Sequence, residues 1–121
     1  RCGRRQMMDV EAVVARRLKA AIELPAFLEV PASPPDKYIV VEQVGGGSSF
    51  ADPVLLDVDC WAGKPGRRDA AAIAARVREA VSDLDEEPNI FDSKPTNTYR
   101  SNDPQTGRSR YTVQISLRLC E

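Results

Sequence analysis

Two carboxylates stand two residues apart in "VLLDVDCWA", Asp57 and Asp59, and on a strand that spacing points both the same way. Such a pair could move protons or help to hold a cation. Alternating polar residues on the exposed face of a strand read identically, and no second cluster of metal-ligating residues accompanies the pair. Trp61 shares that face, where it could stack a base or ligand, cover a sheet edge or enter a protein interface. A second candidate is "VGGGSSF", in which Gly45, Gly46 and Gly47 precede Ser48, Ser49 and Phe50. Glycines followed by hydroxyls often cradle phosphate. A phosphate loop, however, ends in Gly-Lys-Ser/Thr at a helix N-terminus, so that backbone N–H groups and the lysine converge on the anion. This run has no lysine, and Pro53 leads it into a strand. Nor is it Gly-x-Gly-x-x-Gly, because Phe50 occupies the last glycine's place. A flexible hairpin loop that stays mobile until bound is the expectation.

The residue types that are missing weigh as much as those present. Histidine is absent, which removes the commonest general base and the Ser-His and Cys-His nucleophile pairs. Ser48 and Ser49 therefore have nothing to activate them. Cys2, Cys60 and Cys120 lie far apart with no Cys-x-x-Cys pair, so neither a zinc nor a redox motif is formed. Sparse, odd cysteines fit buried thiols in a reducing cytoplasm, and Cys60 falls on the apolar side of its strand. No enzyme, cofactor or metal is expected. No apolar run approaches the length of a membrane span, and no charged-then-apolar leader opens the chain. A net charge of -1 gives no basic excess to neutralise phosphates, so specific nucleic-acid recognition is not expected either.

Charge is segregated along the chain. Residues 1–20 hold six basic and two acidic groups, residues 79–92 hold six acidic groups and no basic one, and residues 94–118 hold five basic and one acidic. Solvated loops and helix ends have this pattern; so do complementary patches that meet between copies or with a partner.

The elements that must position these residues are legible from periodicity. One domain is expected over residues 1–121, with the basic start "RCGRRQMM" (1–8) frayed. "DVEAVVARRLKAAIEL" places Val10, Val13, Val14, Leu18, Ala21 and Ile22 at helical spacing, with Asp9 as N-cap and Pro25 as the stop. Prolines 31, 34 and 35 make a connector. "KYIVVEQV" and "PVLLDVDCWA" read as strands on either side of the glycine run. "RRDAAAIAARVREAVSDL" is a second helix with Ala70, Ile73, Ala74, Val77, Val81 and Leu84 as its stripe. A short strand is expected near Ile90 and Phe91. "RYTVQISLRLC" alternates Tyr111, Val113, Ile115, Leu117 and Leu119 against Thr112, Gln114, Ser116 and Arg118, and closes the chain as a strand. The expected fold is α+β, in the order α-β-β-α-β-β. Two helices pack on one face of a mainly antiparallel four-stranded sheet whose other face is polar or mixed.

This succession resembles the tail-terminator, or tail-completion, proteins of long-tailed bacteriophages over roughly residues 9–120. The resemblance is carried by the opening helix, "FLEVPASPP", "VEQVGGGSSFADPVLLDVDCWA", "RRDAAAIAARVREAV" and "YRSNDPQTGRSRYTVQISLRL". It implies a structural protein of the virion, assembled in the host cytoplasm and placed at the head-proximal end of the tail. There a hexameric ring of such subunits sits on the last ring of the major tail-tube protein, stops its polymerisation and meets the head-completion or connector protein.

Within that picture two sets of residues become candidates. Gly45, Gly46, Gly47, Ser48, Ser49, Phe50, Asp103 and Arg108 belong to loops that would face tube or head. Asp83, Asp85, Glu86 and Glu87 would meet Arg100, Arg110 and Arg118 of a neighbouring copy. The alternative is a small α+β nucleic-acid-binding module, with Trp61 and Tyr38 stacking bases beside the arginines.

Overall fold

The structure, a computed structural model, describes residues 9–47 and 52–119. Ser48, Ser49 and Phe50 of the glycine run lie outside the described residues, as do the expected frayed start, Cys2 and Cys120.

Helix α1 spans Val10–Ile22. Asp9 caps it, Oδ1 accepting the Ala12 N–H at 3.1 Å, which satisfies one of the donors a helix start leaves open. Val10, Val14, Leu18 and Ile22 form the buried stripe, joined by Ala15. Ala21, expected in that stripe, is exposed. Each step of four residues overshoots a full turn by about 40°, so the buried row drifts away from Ala21 by the last turn. The helix ends at Glu23, which takes the left-handed conformation and donates its N–H to the Lys19 carbonyl.

Five strands follow, one more than expected. Strand β1 (Ala26–Phe27) runs parallel to β2 (Tyr38–Gly46), which is antiparallel to β3 (Val54–Trp61). Beyond α2 (Arg67–Val81) and a 3-10 turn at Leu84–Glu86 come β4 (Ile90–Arg100) and β5 (Arg110–Leu119). The sheet order is β1-β2-β3-β5-β4, and the chain order is α-β-β-β-α-β-β. Two residues have no periodicity to read, so β1 left no mark in the sequence. It exists because the Ile39 N–H reaches the Pro25 carbonyl at 3.0 Å and the Phe27 ring packs on Tyr38. β4 is far longer than a short strand at Ile90 and Phe91. It pairs with β5 along its length, with register shifts between Ile90 and Asp92 and between Pro95 and Asn97.

Both helices cover one face of the sheet. Ile39, Val41, Leu56, Val58, Cys60, Val113, Ile115 and Leu117 form that face and join Val14, Leu18, Ile73, Val77 and Val81 in one apolar cluster. Each fully buried Val, Leu or Ile contributes about 1.5–3 kcal/mol. The opposite face carries a second, smaller cluster of Tyr38, Val40 and Trp61, with Phe27 against it. Register fixes the two ends of the sheet. Tyr38, Trp61 and Arg110 meet at one end, Gly46, Val54 and Leu117 at the other.

Candidate functional site

The helix-free face is built from the alternate residues of each strand, and its chemistry changes from end to end. At the Tyr38 end it is closed. The Tyr38 and Trp61 rings stack with centroids 5.7 Å apart and planes 5° from parallel, from positions that the pairing of β2 with β3 places side by side. Phe27 meets Tyr38 edge-on at 5.8 Å. The Arg110 guanidinium lies over the Trp61 ring at 4.8 Å and that of Arg108 over Tyr38 at 5.5 Å, where the negative face of a ring attracts a cation. Tyr38 and Trp61 are thereby buried, at 1% and 5% exposure. The rings that a nucleic-acid-binding module would offer to bases already stack on each other and on these arginines. Burial raises the Tyr38 phenol, against the lowering influence of Arg108. Trp61 Nε1 has no hydrogen-bond partner.

Arg108 and Arg110 also fasten the loop that precedes β5. Arg108 donates to the carbonyls of Asp36 at 2.7 Å, Pro35 at 3.1 Å and Ala62 at 3.3 Å. Its planar fork thus ties the proline connector, the end of β3 and its own loop together. The loop is bonded internally as well. The Asp103 carboxylate accepts the Thr106 hydroxyl at 2.7 Å and the Gln105 N–H at 3.1 Å, and the Gly107 N–H reaches the Asp103 carbonyl at 2.9 Å. The Thr106 hydroxyl first, and then the Gln105 N–H, hold the Asp103 carboxyl below its ordinary range. Asp103 and Arg108 therefore sit in a pre-shaped loop, with Asn102, Pro104, Gln105 and Thr106 exposed on it.

One row further along the face, a directed hydrogen-bond chain runs across two strands. Thr112 Oγ1 donates to Asp59 Oδ1 at 2.8 Å. A hydroxyl has a single proton to give, so Ser101 Oγ donates to Thr112 at 2.8 Å, and Arg110 Nε donates to Ser101 Oγ at 3.1 Å. Burial raises the Asp59 carboxyl above its ordinary value; the Thr112 bond and Arg110 pull it down, and Asp57 adds to the rise. Asp57 lies on the same face, paired across strands with Glu42 and Gln114, and its Oδ1 is buried without a partner. Among the described residues no group of three or more Cys, Asp or Glu is placed to hold a metal ion. The two carboxylates share a face on which Glu42 lies opposite Asp57 and the Thr112 hydroxyl bonds Asp59. Cys60 points to the opposite, apolar side, where burial pushes its thiol up.

The acidic segment lies across the molecule, over the helices. Glu87 takes Arg16 at 2.7 Å and Arg17 at 3.6 Å, and Glu86 takes Arg17 at 2.7 Å. Arg17 also donates to the Asp83 carbonyl. Two of the acidic candidates thus have partners on α1 of the same chain, a pairing the sequence hinted at only through the opposite charges of 1–20 and 79–92. Arg110 is engaged by Ser101 and Trp61. Arg100 is exposed at the end of β4, and Arg118 is exposed near the end of β5.

Of the glycine run, Gly45 and Gly46 belong to β2, paired with Leu55 and Val54. Gly46 and Gly47 both have positive φ, 74° and 76°, the region that favours glycine. This loop and the Asp103 loop stand at opposite ends of β3, whose eight residues span roughly 25 Å. No helix among the described residues is long and apolar enough to cross a membrane.

Residues 11–119 match the protein family described as tail completion protein gp17. A chain of the "Virion of native gene transfer agent (GTA) particle" has the same fold. It superimposes with a TM-score of 0.68 at 17% identity, over 91% of this chain and 93% of that one. No curated protein matches in sequence.

Proposed function

The chain belongs to the tail completion protein gp17 family, and from that membership we propose that its copies close into a hexameric ring that caps the tail tube. The ring stops polymerisation of the tube and presents the surface on which the head is joined. It would work by shape and contact, without cofactor or catalysis, at the head-proximal end of the tail. The similar fold of a chain in a gene transfer agent virion is in keeping with a place in the particle.

One observation of the geometry carries this reading. A ring between tube and head needs two distinct faces, and the candidate loops separate into two sets at opposite ends of the sheet. Gly45–Gly47 stand at one end, Asp103 and Arg108 at the other, so one set can meet the tube while the other meets the head. Electron micrographs of particles made without this protein test the reading. Tails of abnormal length and headless particles are expected; tails of normal length joined to heads would refute it.

A further inference from the structure

We propose that the two lateral edges of the sheet pair with each other between neighbouring copies, the β4 edge of one against the β1–β2 edge of the next. The inference rests on the ring reading and names its subunit contact.

Strand direction comes first. β2 runs away from the Tyr38 end, β3 returns, β5 runs away and β4 returns, and β1 is parallel to β2. The two outer edges therefore run in opposite senses. A rotation that preserves strand direction lays β4 beside the next copy's β1 and β2 as an antiparallel pair. Such a head-to-tail contact closes into a ring when the rotation closes.

Both edges also leave backbone to be paired. β1 covers only Ile39 and Val40 of β2, so the outer side from Val41 to Gly46 has no strand partner among the described residues; there the Gln43 N–H donates to Glu11 Oε2 at 2.7 Å, a side-chain cap that an arriving strand must displace or pass. Neither has the outer side of β4. An unpaired edge is a template for another chain. Pro95 and the two register shifts of β4 interrupt that template and restrict it to short segments, which disfavours indiscriminate pairing.

Side chains agree with the backbone. Leu28, Val30, Val44, Phe91 and Tyr99 are 40–52% exposed, and all five lie on the edge strands or in the segment leaving β1. Charge is complementary as well. Glu29 and Glu42 are exposed on the β1–β2 side, Lys94 and Arg100 on β4. Glu42 and Lys94 share the helix-free face in adjacent rows, Glu42–Asp57–Gln114–Asn97 and Gly45–Leu55–Ser116–Lys94. Within one chain Glu42 faces Asp57, and like charges directly opposite are unfavourable. A lysine arriving from the next copy relieves that pair.

Cysteine pairing tests the contact. In a background with Cys2→Ser and Cys120→Ser, the double variant Glu42→Cys, Lys94→Cys is assembled, oxidised and run on a denaturing gel without reductant. A ladder of covalent oligomers is expected, and no ladder from either single variant. Charge reversal is the second arm: Glu42→Lys or Lys94→Glu alone removes the oligomer seen by light scattering, and the two together recover it. Rings that form without a ladder, and that neither reversal disturbs, overturn the edge contact and leave the ring reading standing. A wild-type chain that stays monomeric even beside purified tail tubes overturns the ring reading and this inference with it.

Discussion

Asp59 is a carboxylate in a place that disfavours its charge, and the sign of that effect can be measured. Burial raises its pKa above that of an ordinary aspartate, and the Thr112 hydroxyl and Arg110 offset only part of the rise. A carboxyl with a raised folded-state pKa binds its proton more tightly in the fold than in the unfolded chain. Its favourable contribution is complete below the unfolded value and is lost as pH rises through the raised one. Asn at this position keeps an oxygen to accept from Thr112 and never ionises. Asp59→Asn is therefore expected to gain stability relative to the wild type as pH rises from 3 to 7, in urea unfolding followed at each pH. A difference that is flat with pH would show that burial is offset in full, and one that favours the wild type more at pH 7 would show that Thr112 and Arg110 outweigh it. The aspartate's face was legible from its alternation with Leu56, Val58 and Cys60. Its environment was not, because Thr112 and Arg110 reach it only through the pairing of β3 with β5, and Ser101 joins them only through the pairing of β4 with β5.

Elements with a strong period were read from the sequence, and elements set by their neighbours were not. β5 and both helices announce themselves, since each buries one face against a large apolar cluster and must repeat at 2.0 or 3.6 residues. β1 is defined by its contact with β2 alone. β4 is an outer strand interrupted at Pro95, so nothing imposes alternation on "DSKPTNTYR". The glycine run was legible as a turn but not in its division, because Gly45 and Gly46 finish β2 instead of starting the loop. At Gly46 the backbone leaves no room for a side chain. A Cβ there would lie 1.8 Å from the Pro53 carbonyl oxygen, and its φ is +74°. Gly46→Ala must therefore move backbone as well as adopt a strained conformation, and a loss of about 2 kcal/mol or more in urea unfolding is expected. Gly45→Ala meets only the end of the Leu55 side chain, at 3.6 Å, and serves as the control with little loss. Equal effects at the two positions would mean that the hairpin can shift to accept a side chain.

At the scale of the whole molecule, the separation of the two loop sets is the feature that a junction between tube and head would use. The Asp103 loop is fixed before any partner arrives, by its own bonds and by the grip of Arg108 on three carbonyls. A pre-shaped loop loses little conformational freedom on binding. The other set is carried on positive-φ glycines next to residues 48–51. Because β3 separates the sets by roughly 25 Å, a bulky side chain at one end should not disturb a contact at the other. Gln105 is exposed on the Asp103 loop and takes no part in the Arg108 grip; Ser49 stands two residues beyond Gly47 in the sequence. Gln105→Trp and Ser49→Trp are therefore expected to leave the ring assembled by light scattering and to fail at different steps. One variant should give tails of uncontrolled length. The other should give tails of normal length that carry no head. Electron microscopy of particles complemented with each variant distinguishes these outcomes. If both variants block the same junction while rings still form, the two ends do not serve two partners, and both junctions would have to be sought at one end of the sheet.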